Sequence, residues 1–179
     1  MARWVGRALT TDASRRHKDL PGPKSYTPDF LVARSNSKRL VIEVKHQDFQ
    51  GDAEYDVKLS DAAEILYSNG YEFARVVIPS NSHHPIHSNA PLIRQAFLRK
   101  DLWPTPDVVE RINQLAAQGA STVRDYLLPL QISANLIPIF LACGALSMDL
   151  VQHHINGDSP VQAAFGSLDH LQLLDRFIQ

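Results

Sequence analysis

The segment that most constrains this chain is a β-branched run, Leu40-Val41-Ile42-Glu43-Val44, followed by a helical stripe and then a second apolar run at residues 73–78. In residues 52–69, Leu59, Ala62, Ala63 and Leu66 recur at spacings of three and four, which predicts a helix with one buried face. Gly70 follows where a left-handed C-terminal residue belongs. Strand, helix, strand in this order favours a crossover that lays the last strand parallel to the first. Phe30-Leu31-Val32-Ala33 reads as a further short strand, joined to residues 40–44 through the turn Ser35-Asn36-Ser37-Lys38 as a hairpin. The expected fold class is therefore α/β.

Residues 1–25 show no clean periodicity and end in the breaker run Pro21-Gly22-Pro23, so they read as an arm. The compact core is expected over residues 26–88, with residues 80–89 as a polar, histidine-bearing connector, and a mostly helical domain over residues 89–179. In that domain residues 91–99 form a plausible short helix. Thr105-Pro106-Asp107 opens a helix to Gln118, stopped by Gly119. Ser121 or Thr122 caps a helix through Leu128, and Ser133 caps residues 134–143, which Pro138 should kink or shorten. Short helices followed by residues 145–150 and a Gly157-Asp158 turn suit a helix-turn-helix or winged-helix module.

Charge divides along the same line. Residues 1–50 hold ten Lys and Arg against five acids, a net of +5, and the remaining residues carry −6, within an overall −1. The basic third suits a phosphate-bearing partner, or is only a solvated tail. Cys143 is the single cysteine, which excludes an internal disulfide and a cysteine-based zinc site and fits a reducing compartment. The longest apolar stretch, residues 136–146, is interrupted by Pro138 and Gly144 and is too short for a bilayer; a cytoplasmic protein with no membrane partner is expected.

The chemistry concentrates in Tyr26-Thr27-Pro28-Asp29-Phe30-Leu31-Val32 and, with thirteen residues between Asp29 and Glu43, in Glu43-Val44-Lys45. Side chains alternate along a strand, so Glu43 and Lys45 share one face while Ile42 and Val44 are expected in the core. Asp29 begins the paired strand and can reach the same end of the sheet. Two carboxylates there make an oxygen site suited to Mg²⁺ or Mn²⁺. Phosphodiester hydrolysis uses such a site, with a nearby ammonium such as that of Lys45 to orient the nucleophile or stabilise the transition state. A bare Glu-x-Lys triplet is ordinarily a solvent-facing pair. The upstream Pro-Asp, the hairpin between and the helix and strand after it turn the balance toward a metal site.

On these residues the chain resembles the PD-(D/E)xK nuclease superfamily, with a restriction-endonuclease-like core. Within it the chain is similar to the TnsA-type endonuclease subunits of heteromeric, Tn7-like transposases. The likeness runs over about residues 26–160, through Lys58-Leu59, Gly70-Tyr71, residues 73–78 and, in the helical winged-helix-like domain, Gly144-Ala145-Leu146 and Asp149-Leu150. The resemblance implies Asp29, Glu43 and Lys45 as catalytic residues, with Mg²⁺ or Mn²⁺ held by Asp29, Glu43 and the Val44 carbonyl. It implies cleavage of the strand at transposon ends that the partner transposase leaves uncut, in a complex with that transposase and an ATPase regulator. The family also carries a glutamate on a helix well upstream of Pro-Asp. Residues 1–25 contain no Glu, so either the chain begins late relative to the family, or Asp12 substitutes, or Asp29, Glu43 and the Val44 carbonyl suffice.

His46, Gln47 and Lys58 are candidates for DNA contact, or solvate the ends of their elements. His83-His84-Pro85-Ile86-His87 reads as connector rather than zinc cluster, because Pro85 is expected to break any helix that would align the rings. His153-His154 reads as a helix end, and Trp4 and Trp103 as packing residues. No Walker loop and no Gly-x-Ser-x-Gly elbow is present, which leaves nucleotide hydrolysis and serine-hydrolase chemistry without support. A non-catalytic assembly subunit, or a stand-alone nuclease of the junction-resolvase or restriction type, are the competing functions.

Overall fold

The computed structural model describes residues 26–33, 39–49 and 51–178. The expected arm, with Asp12, Asp19 and Trp4, and the turn at residues 35–38 lie outside them. The chain is mixed α/β and divides into two compact units, one ending at Ser80 and regaining the chain from Phe177, the other Asn81–Arg176.

In the first unit, β1 (Phe30–Ala33) pairs antiparallel with β2 (Arg39–His46), Phe30 lying opposite Ile42. Helix α1 (Ala53–Ser68) then crosses over to β3 (Tyr71–Ile78), which runs parallel to β2 with Glu43 opposite Arg75. The sheet order is β1-β2-β3, as the strand–helix–strand pattern predicts. Asp52 caps α1 by accepting from the Tyr55 N–H at 2.9 Å, and Glu54 and Asp56 place negative charge in the first turn, where the helix dipole favours it. Gly70, at φ +80°, lets the chain turn directly from α1 into β3.

The stripe Leu59, Ala62 and Leu66 packs on Val41, with Tyr26, Leu31 and Phe73 beside it. Ile42 is buried as expected, whereas Val44 is only partly so and the face that carries Glu43 is covered as well. Val41 is fully buried and shares the face of Glu43, whereas Leu40 and Ile42 are buried on the other face. β2 is a central strand covered on both sides, as parallel pairing to β3 through a helical crossover favours.

The second unit is built from α2 (Pro85–Leu98), α3 (Pro106–Ala117), α4 (Val123–Leu130), a 3₁₀ turn (Ala134–Leu136) running into α5 (Ile137–Ala142), and a two-residue antiparallel ribbon of β4 (Leu146–Ser147) with β5 (Gln162–Ala163). All six residues of α5 are buried, against Ile112, Tyr126, Leu146 and Leu150 among others. The Asp125 carboxylate accepts from the Thr122 and Ser121 N–H groups at 2.8 and 3.1 Å and fixes the start of α4.

One helix start differs from the sequence reading. α2 begins at Pro85, inside the expected connector, because proline occupies the first turn, where its missing N–H costs nothing, and His84 Nδ1 accepts from the Ile86 N–H at 3.2 Å. Pro138 shortens the helix expected over residues 134–143, as its position suggests: it stands in the first turn of α5, and the preceding turn is 3₁₀. Among the described residues, no single helix is long and apolar enough to cross a membrane.

Candidate active site

Glu43 is 4% exposed and is one of three buried polar or charged residues among those described, with Asn89 and Ser159. A carboxylate removed from water needs partners for both oxygens. Here three side chains supply them. The Tyr26 hydroxyl donates to Oε2 at 2.7 Å, the Tyr55 hydroxyl donates to Oε1, and the Lys45 ammonium lies 2.8 Å from Oε1. Lys45 Nζ also sits 4.4 Å from the centroid of the Tyr55 ring, a cation–π contact. Glu43 and Lys45 therefore form an ion pair on the helix-facing side of β2, not a solvent-facing pair.

Each donor is placed by local structure. Pro28 restricts Thr27 to extended backbone, and Tyr26 before it turns its ring into the core, edge-on to Phe73 with centroids 6.4 Å apart. Tyr55 stands in the first turn of α1, three residues after the Asp52 cap. Gly51, at φ +97°, precedes that cap, and a Cβ there would lie 2.4 Å from Tyr55 Cδ1, so the glycine makes room for the ring.

Asp29 lies one residue before β1 and is exposed. Its Oδ2 accepts from the Val44 N–H at 2.8 Å, which ties the carboxylate to the strand that carries Glu43 and Lys45. In a strand the N–H and C=O of one residue point to the same edge, so the Val44 carbonyl faces the Asp29 side, beyond the last β1–β2 pair. Asp29, Glu43, Val44 and Lys45 are thus brought to one end of the sheet.

The electrostatics follow from these contacts. Burial pushes the Glu43 carboxyl up, but hydrogen bonds from Lys45, Tyr55 and Tyr26 outweigh it and hold the group below its ordinary value. The bonds to Glu43 and Tyr55 raise Lys45, which stays an ammonium. Burial and the bond to Glu43 raise both tyrosines, which remain phenols and donors.

The other candidates are less engaged. His46 is exposed, with Nδ1 3.8 Å from Asp48 Oδ2 and its ring 5.9 Å from that of Phe49. Gln47 donates its N–H to the Ile78 carbonyl at 2.9 Å, and its Oε1 lies 3.4 Å from the Ser80 N–H. Lys58 is exposed on α1, one turn beyond Tyr55. In the histidine segment, His84 caps α2 and its ring lies 6.2 Å from that of His87. Among the described residues no group of three or more His, Cys, Asp or Glu converges as a metal cluster.

Sequence reasoning assigned no role to either tyrosine. Tyr26 was within reach as part of the Tyr-Thr-Pro-Asp string; Tyr55 carries no motif, and only its place in the first turn of the crossover helix hints at contact with the strand end.

The arrangement fits a hard divalent cation in its donor set: two carboxylates and a backbone carbonyl, all oxygen. Glu43 offers four lone-pair sites, of which the described residues use three, leaving one on Oε2. Asp29, itself exposed, binds the strand through Oδ2, which leaves Oδ1 as a second donor oxygen. Comparison with protein-family models and with curated proteins returns no match.

Proposed function

We propose that this chain is a Mg²⁺-dependent DNA endonuclease of the PD-(D/E)xK type, acting as the TnsA-like subunit of a heteromeric transposase. The observation that carries the reading is the buried Glu43, paired with Lys45 and set beside Asp29 and the Val44 carbonyl at one end of the sheet. A buried ion pair adds little stability compared with apolar packing, so a function for it is the better explanation.

Asp29, Glu43 and the Val44 carbonyl would hold the cation. When bound, Mg²⁺ supplies a water of lowered pKa and neutralises charge on the phosphate. The protein's own part is electrostatic and positional. Asp29 is fixed to β2 by the Val44 N–H, which sets its distance from Glu43 before any ligand arrives. Lys45, held as an ammonium, is a cation for the phosphate oxygens on which charge develops, a contribution of about 10²–10³-fold in comparable electrostatic sites. His46, Gln47 and Lys58, at the edge of this end, are the proposed DNA contacts.

The near-neutral overall charge suits an enzyme delivered to DNA by partners, since few phosphate contacts hold a protein on DNA at physiological salt. Those partners are the transposase that cuts the other strand and an ATPase regulator. The second unit, with short helices followed by a two-stranded ribbon, is compatible with a winged-helix-like module for such contacts.

Nicking of labelled transposon-end DNA with Mg²⁺ tests this, with wild type compared with Asp29→Ala and Lys45→Ala in the presence and absence of the partner transposase. Cleavage should require Mg²⁺ and the partner and disappear in both variants. Cleavage that survives both substitutions removes the assigned residues. Absence of metal-dependent cleavage even with partners supports an assembly subunit, and cleavage of unrelated DNA by the chain alone supports a stand-alone nuclease.

A further inference from the structure

The site contains two hydroxyls that the proposed reaction does not use. Tyr26 comes from the segment before β1 and Tyr55 from the first turn of α1, and they close on opposite oxygens of the same carboxylate. Their positions are not equivalent. Oε1 has two donors, Tyr55 and Lys45, so losing either leaves the other to orient it. Oε2 has Tyr26 alone among the described residues, and it is the oxygen with a lone pair to spare. Tyr55 differs again, because its ring face carries the Lys45 ammonium while its hydroxyl binds the partner of that ammonium.

The geometry points to a division of labour, with Tyr26 as the positioning residue that orients Glu43 for a divalent cation and Tyr55 as the positioning residue that aims Lys45. This rests on the reading of Asp29, Glu43 and Lys45 given above and goes beyond it by separating metal affinity from catalytic rate. Groups that hydrogen-bond a metal-ligating carboxylate fix its orientation, and their loss typically costs about 10–100-fold in affinity. A ring face beneath an ammonium restricts a side chain that otherwise has free rotation about four bonds.

The test uses the full chain, with Mn²⁺ binding measured from the electron paramagnetic resonance of the free ion, single-turnover nicking of transposon-end DNA at saturating metal with the partner transposase present, and thermal melting. Tyr26→Phe keeps the ring packed on Phe73 and removes only the donor. It should weaken Mn²⁺ binding about tenfold or more and leave the rate at saturating metal within about threefold of wild type. Tyr55→Leu should leave Mn²⁺ affinity within about threefold and lower the saturating rate about tenfold or more, and Tyr55→Phe, which keeps the ring, should recover part of that rate. Combining Tyr55→Leu with Lys45→Ala should lower the rate no further than Lys45→Ala alone, which a merely structural tyrosine would not do.

The division is overturned if both tyrosine variants lose affinity and rate together, or if neither loses either while Asp29→Ala still abolishes binding. A wild-type chain that binds no Mn²⁺ and, with the partner transposase present, nicks no DNA overturns the nuclease reading and this inference with it.

Discussion

At the residue scale, the decisive property of Glu43 is that it stays ionised while almost fully buried. Taking a carboxylate out of water is costly, and three donors offset the cost: two phenols and one ammonium. Glu43→Gln keeps the shape and removes the charge, which leaves Lys45 facing a neutral amide. Two consequences follow. The variant should lose Mg²⁺-dependent nicking, and in metal-free buffer it should be destabilised by roughly 1–3 kcal/mol, seen as a lower urea midpoint with an unchanged slope. A midpoint equal to wild type would mean that the ion pair and its tyrosines add nothing to the folded state. The sequence showed the pair but not its surroundings: the alternation rule places Glu43 and Lys45 on one face without saying which face is covered. The cover is supplied by Tyr26 and Tyr55, 17 and 12 residues away along the chain, a distance no local pattern reports.

At the element scale, the parts with a strong period were the readable ones. The stripe on α1 and the β-branched content of β2 and β3 predict the crossover and its parallel pairing. β2 was misjudged in one respect: a strand buried on both faces has no polar face to betray its orientation, so Ile42 is buried as expected but Val41, on the face of Glu43, is buried too, beneath α1. Proline was the second source of error. Thr105-Pro106 reads correctly as a helix start, yet the equivalent His84-Pro85 reads as a break because the polar residues around it resemble a connector. What holds α2 in place is equally invisible in sequence. Asn89, 1% exposed, donates to the Leu150 and His153 carbonyls at 2.9 and 2.7 Å and accepts from the Ile155 N–H at 3.2 Å. Asn89→Ala leaves one buried and two partly buried backbone groups without their partner, and the second unit should lose roughly 1–3 kcal/mol by denaturant titration. Local hydrogen exchange should rise first at residues 150–155; exchange unchanged there would show that the turn does not depend on Asn89.

At the scale of the whole molecule, two units with separate cores should respond to acid in separate pH windows. In the second unit burial depresses His170, against the opposing pull of the Leu141 carbonyl 2.9 Å from its Nε2, and burial with neighbouring His87 and His154 depresses His84. A histidine with a lowered folded pKa binds protons more readily when unfolded. Its stabilisation is complete above about pH 6.5 and is lost as pH falls toward the folded value. Glu43 in the first unit is depressed from about 4.5, so its contribution persists to lower pH before it fades. Hydrogen exchange at pH 7.5, 5.5 and 4 should therefore show the second unit loosening first, and His170→Gln should lessen the loss between pH 7.5 and 5.5. Simultaneous loosening of both units near pH 6 would contradict this assignment.

In the proposed reaction Lys45 acts as a cation toward a phosphodiester beside a metal held by Asp29 and Glu43. The most direct measurement is the single-turnover nicking rate of Lys45→Ala at saturating Mg²⁺, taken together with its Mn²⁺ affinity. The predicted result is a rate lowered by about 10²–10³-fold with metal binding retained. A rate equal to wild type, or a loss explained wholly by failure to bind metal, would contradict the account.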